Sequence, residues 1–209
     1  RYHAVPASDL SFNLVNEAPG PREGYMTAED YCRIMGRAIE RIRSYNADRL
    51  IIVDGLSWAN RPVECLRSAG VAQSVHGYQP LRLTHYHAPW VDRDMSWPKP
   101  TWPLKNEQGD VVYSRETLER HFAPWGKLVR QGVGVHCGEF GCFNKTPHGV
   151  FIDWMRALMD VLKSHNIGWA LWNFRGSFGV LDSRRQDVEY EDWHGHKLDR
   201  RLLEVLRSH

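Results

Sequence analysis

Short apolar runs alternate with longer stretches whose apolar residues recur at helical spacing, and the alternation repeats along the chain. Leu10–Asn16 reads as a first strand. A helix follows, with Thr27 as N-cap, Asp30 in its first turn and an apolar stripe of Ile34, Met35, Ala38, Ile39 and Ile42. Arg49–Asp54 is a second strand whose continuous apolar run predicts burial on both faces. Asn60 and Pro62 open a short helix that Gly70 stops. Val71–His76 is a third strand. The connection Gln79–Tyr113, rich in Pro and Trp, is long enough to suggest a functional loop. Ser114 then caps a helix to Gln131, with a kink expected at Pro124. Val133–Gly138 is a fourth strand, and Thr146 and Pro147 start a helix that ends near His165. Gly168–Phe174 is a fifth strand. A last helix over Lys197–Leu206 carries Leu198, Leu202, Leu203 and Leu206.

Strand and helix in strict alternation argue for α/β with a parallel sheet. Two architectures remain: an open doubly wound sheet, or an arc of a (β/α)8 barrel. Every strand ends in a polar or aromatic group, namely Glu17, Asp54, His76, Glu139 and Trp172. A barrel draws its active site from the carboxyl ends of several strands, so this pattern favours the barrel. The sequence has no Gly-rich phosphate turn after a strand and no Gly-x-Ser-x-Gly elbow, which counts against nucleotide binding and a serine hydrolase. Nor does it have a repeat or linker, so residues 1–209 read as one domain or part of one.

Composition narrows the partners. With 27 basic and 25 acidic side chains in 209 residues, there is no charge footprint for nucleic acid or an anionic membrane. No apolar run approaches the ~20 residues of a membrane span, and residues 1–15 lack a signal-peptide core. Nine tryptophans fill a core or line a groove in which rings stack on sugar faces. Cys32, Cys65, Cys137 and Cys142 have no Cys-x-x-Cys spacing, so buried free thiols are expected rather than zinc or disulfides. His85 with His87, and His194 with His196, have metal-pair spacing but no third ligand in the pattern. No metal and no cofactor is expected.

The candidate chemistry sits at two glutamates. Glu17 closes Leu10–Asn16 ahead of Ala18-Pro19-Gly20, and Glu139 closes Val133–Gly138 ahead of Phe140-Gly141. Two carboxyls ~5–5.5 Å apart across a sugar bond are what retaining glycoside cleavage requires. In strands of period two, Asn13, Val15 and Glu17 share a face, as do Val133, Val135, Cys137 and Glu139.

Four segments carry a specific resemblance: Leu14-Val15-Asn16-Glu17-Ala18-Pro19, Ser74-Val75-His76-Gly77-Tyr78-Gln79-Pro80, Gly138-Glu139-Phe140-Gly141 and Trp169-Ala170-Leu171-Trp172-Asn173-Phe174. In this order the chain resembles the C-terminal part of a retaining glycoside hydrolase of family 5, the cellulase family. It departs in one place, where Ala18 separates Asn-Glu from the proline. The resemblance implies a (β/α)8 TIM barrel of which this chain holds about strands four to eight. It also implies Glu17 as acid/base and Glu139 as nucleophile, with Asn16 on the sugar 2-hydroxyl. Tyr78 would donate to Glu139, and His76 would tune the glutamates unless it is only a satisfied strand-end histidine. Trp172 would be the sugar platform or, alternatively, a core residue. Trp90, Trp97 and Trp102 either wall the cleft or pack within their own loop.

The implied substrate is a β-1,4-glucan or a related β-glycan such as mannan, handled by a secreted enzyme. Strands one to three would come from an N-terminal half-barrel chain, or self-association would cover the open edges. The alternative from another class is a non-catalytic carbohydrate-binding half-barrel.

Overall fold

A computed structural model describes Tyr2, residues 5–21 and residues 26–209. In chain order the elements are β1 (Phe12–Asn13), α1 (Ala28–Arg43), β2 (Ile51–Asp54), a single turn α2 (Leu56–Ala59), a 3-10 turn (Glu64–Leu66) and β3 (Ala72–His76). Then come α3 (Leu81–Thr84), β4 (Leu104–Lys105), β5 (Val111–Tyr113), α4 (Arg115–Arg130), β6 (Val135–Glu139) and α5 (His148–Ser164). The chain closes with β7 (Gly168–Trp169), β8 (Glu191–Trp193), β9 (His196–Leu198) and α6 (Arg200–Arg207). None of the described helices is long and apolar enough to cross a membrane. The chain forms two compact units: residues up to His76 with Pro124–Cys137, and Gly77–Ala123 with Gly138–His209.

The first unit is built on parallel strands in the order β1-β2-β3-β6. Phe12 pairs with Ile51, and Asp54 with Ser74. Strand β2 is as buried as its unbroken apolar run predicts, with Ile51, Val53 and Asp54 all inaccessible. Helix α1 starts at the expected cap: Thr27 and Asp30 form a reciprocal capping box, which satisfies two donors that the first turn leaves open. Its buried face is Tyr31, Met35 and Ile39, with Ile42 partly buried. Ile34 is a correction, since it stands 46% exposed. It lies one step of about 100° off the i, i+4, i+8 line that faces the sheet.

The cysteine expectation is half overturned. Cys137 and Cys142 are free and buried, but Cys32 and Cys65 form a disulfide across 33 residues of sequence, with Cα atoms 6.3 Å apart. Pairing at this range depends on α1 lying against the Glu64–Leu66 turn, a tertiary fact with no local spacing signal.

The second unit receives the end of β6, and β7 follows β6 in the strand order. Helix α5 buries Phe151, Ile152, Trp154, Met155 and Leu158, among others. Arg185 is buried against it, its guanidinium 4.6 Å from the Phe151 ring and donating to the carbonyls of Thr146 and Cys142. Two hairpins, β4–β5 and β8–β9, are separate antiparallel pairs. The first lies inside the long connection, which therefore has structure of its own. The expected fifth strand leaves its ladder early, after Trp169, although the Trp172 amide still donates to the Phe140 carbonyl at 2.9 Å.

Candidate active site

In the first unit the chain leaves β1 and reaches Glu17 in a left-handed conformation, φ +52°. Such a φ is uncommon for a residue with a Cβ. It is held by the Asp54 carboxylate, whose Oδ2 accepts the Glu17 amide at 2.8 Å. The Glu17 side chain is 35% exposed, and its Oε1 lies 2.9 Å from His76 Nδ1 at the end of β3. Asp54, the last residue of β2, is fully buried. Its Oδ1 accepts from Asn13 Nδ2 at 2.9 Å, its carbonyl accepts the Tyr31 hydroxyl at 2.8 Å, and Oδ2 stands 3.5 Å from His76 Nε2. Burial, helped by the Asp54 charge, raises the Tyr31 pKa, which keeps that phenol a donor. His136, on β6, is held below the usual histidine range chiefly by burial.

Beyond Glu17 the chain passes Ala18, whose carbonyl accepts the Trp58 amide at 3.0 Å. Ser57, Trp58 and Ala59 all have positive φ, and Trp58 is exposed. Asn16 is exposed beside Glu17.

In the second unit Glu139 ends β6, and Tyr78 donates its hydroxyl to Glu139 Oε2 at 3.0 Å. The Tyr78 ring is fixed in an aromatic cluster, edge-on to His85 at 5.0 Å and to Phe178 at 6.1 Å. Thr84 ties the Tyr78 carbonyl from below, its Oγ1 donating at 2.6 Å. Trp90 joins the same cluster, 5.0 Å from Phe143 and 6.1 Å from His85. Gly141 follows Glu139 at φ +141°, and a Cβ there would meet the Trp172 carbonyl at 3.0 Å. That close approach sets the Trp172 main chain beside the strand end. The Trp172 side chain is 46% exposed, so it is not a core residue. Trp97 and Trp102 are half-buried in the long connection.

The expected hydrogen bond from Tyr78 to Glu139 forms, and His76 meets Glu17. The residue not foreseen in the site is Asp54. Its signal was a polar residue closing a buried strand, shared with any strand end. Phe178, which helps set the Tyr78 ring, had no signal at all, and His85, noted only for its metal-pair spacing with His87, packs edge-on to Tyr78 instead.

The family model for the cellulase family, glycosyl hydrolase family 5, matches residues 6–177. The chain belongs to that family. A solved structure described as a glycoside hydrolase is 41% identical to it, with a TM-score of 0.92, covering all of this chain and 63% of that one. The cellulose synthase subunit Z of Clostridioides difficile is 22% identical, with a TM-score of 0.75, covering 99% of this chain and 63% of its own. Cel5A of Thermotoga maritima has been solved with cellobiose at 23% identity and TM-score 0.75, covering 99% of this chain and 61% of that one. The same protein with mannotriose gives 22% identity and TM-score 0.73, over 98% and 61%. A search of curated protein sequences finds no match. The fold is part of a (β/α)8 barrel, and the chain spans a little over three fifths of the structures it matches.

Proposed function

We propose that the protein is a retaining glycoside hydrolase that cleaves internal β-1,4-glucan bonds, with Glu17 as acid/base and Glu139 as nucleophile. The observation that carries the reading is the pair of partners drawn from one short segment. His76 meets Glu17 at 2.9 Å, and Tyr78, two residues on, donates to Glu139 at 3.0 Å.

Glu139 attacks the anomeric carbon while Glu17 gives its proton to the departing glycosidic oxygen, forming a covalent glycosyl-enzyme. Glu17 then takes a proton from water, whose oxygen displaces Glu139 with net retention. The Tyr78 hydroxyl steadies the Glu139 carboxylate as an acceptor before attack. Asn16, exposed beside Glu17, is assigned to the sugar 2-hydroxyl, and the exposed Trp172 ring to the face of the sugar being cleaved. Trp90, Trp97 and Trp102 extend the binding surface. The Cys32–Cys65 disulfide supports an extracellular, oxidising location.

Mannan is the second reading of the substrate, favoured by the mannotriose complex of Cel5A. Initial rates on β-1,4-glucan and β-1,4-mannan, with the anomer of the first product followed by proton NMR, test both parts. Retained β-anomer with glucan preferred is the expected result. Inverted product, or no turnover on either polymer by the full-length protein, overturns the proposal.

A further inference from the structure

The Asp54 carboxylate reaches Glu17 twice, through the main chain and through His76, and no step of the reaction above uses it. We propose that Asp54 is a positioning residue that presents Glu17 as a proton donor, an inference that rests on the acid/base reading of Glu17.

A fully buried carboxylate is costly to desolvate and adds little stability even when paired. Here it is held in place by Asn13 Nδ2 on one oxygen and the Glu17 amide on the other. The second oxygen is also 3.5 Å from His76 Nε2, while His76 Nδ1 is 2.9 Å from Glu17 Oε1. The His76 hydrogen is assigned to Nε2, the ring nitrogen facing Asp54, because an ionised carboxylate can only accept. In a neutral imidazole the other nitrogen, Nδ1, is then an acceptor. Glu17 meets an acceptor at Oε1 by carrying the proton there, and that is the state needed to protonate the leaving oxygen. Burial also holds the neighbouring His136 below the usual histidine range, which disfavours a competing positive charge there. The amide bond to Asp54 holds Glu17 at φ +52°, a main-chain conformation that fixes where the carboxyl points. Asp54 therefore sets both the place and the protonation partner of the acid.

The test is Asp54→Asn in the full-length protein, which keeps the side-chain size and one acceptor but removes the charge. On cello-oligosaccharides, whose leaving group needs protonation, kcat/KM should fall about 100-fold, the scale of a misplaced catalytic group. On a dinitrophenyl cellobioside, whose leaving group departs unaided, the loss in kcat/KM, which reports only the bond-breaking step, should be under about 3-fold, since general-acid help is not needed there. Equal losses on the two substrates, or none on either, overturn the proposal.

A second measurement needs no variant. Nitrogen-15 NMR of His76 in the unmutated protein should report hydrogen on Nε2 and none on Nδ1, and hydrogen on Nδ1, alone or together with Nε2, overturns the proposal even if Asp54→Asn does not fold. Failure of the unmutated protein to cleave either substrate overturns the hydrolase reading itself, a result distinct from an unchanged leaving-group preference.

Discussion

At the scale of single residues, the two glutamates stood out in the sequence because each follows a short apolar run in a recognisable local setting, although β1 itself ends at Asn13, before Glu17. The Tyr78–Glu139 bond was legible only through the resemblance, since nothing in a bare His-Gly-Tyr says which carboxylate each ring will meet. Asp54 stayed hidden because its role is tertiary: Asn13, Glu17, Tyr31 and His76 converge on it from separate elements. The assigned roles predict unlike variants. Glu139→Ala should abolish turnover on every substrate. Glu17→Ala should cost ~10²–10⁴-fold in kcat/KM on cello-oligosaccharides and much less in kcat/KM on aryl cellobiosides with good leaving groups, as loss of a general acid does. Equal loss on both classes shows the roles to be misassigned. Trp172 divides in the same way between platform and core. Because its ring is about half exposed, Trp172→Ala should cost well under the ~3–5 kcal/mol of a buried aromatic deletion, yet lower kcat strongly. Melting and turnover measured on that one variant decide it.

Among the elements, the long helices were read closely and the strands loosely. The helix expected from Asn60 and Pro62 to Gly70 is only a 3-10 turn at Glu64–Leu66, and the last helix starts at Arg200 rather than Lys197. Caps announce helix starts: Thr27 and Asp30 placed α1 to the residue, and Pro147 placed α5. The strands proved shorter than their apolar runs, with β1 only Phe12–Asn13 and β7 only Gly168–Trp169. Hydrophobicity marks what is buried, whereas a ladder ends where hydrogen-bond partners diverge. The disulfide was invisible for a related reason. Its 33-residue loop predicts that Cys32→Ser with Cys65→Ser will cost about 2–4 kcal/mol, read as a lower Tm that reductant does not lower further. Helix α4 offers a pH prediction. Burial holds His121 down at about 4 from the usual 6.5. The unfolded chain thus takes up a proton near pH 6.5 that the folded chain resists until about pH 4. Stability present above pH 6.5 should fall as pH drops through this window, by up to about 3 kcal/mol. His121→Phe should flatten that part of the Tm profile.

For the whole molecule, the resemblance indicated a barrel arc, and the matched structures agree in fold while extending well beyond this chain, which covers 63% of the 41%-identical one. Among the described residues the strand order begins at β1 and ends at β7, and no described strand pairs with the outer side of either. Unpaired edges seek partners, and an incomplete cleft leaves catalytic groups less well held. A shift of ~1 Å in a reacting group is enough to cost about 100-fold in rate. The 209 residues made alone should therefore turn over cello-oligosaccharides at least 100-fold more slowly than the full-length protein, and should self-associate in sedimentation. Mixed with a separately made piece carrying strands one to three of a family 5 barrel, they should regain activity and melt in one cooperative transition. A monomeric chain of these 209 residues with full activity would show that five strands suffice to hold both glutamates. In that case the remaining strands of the relatives serve stability or substrate reach rather than the chemistry.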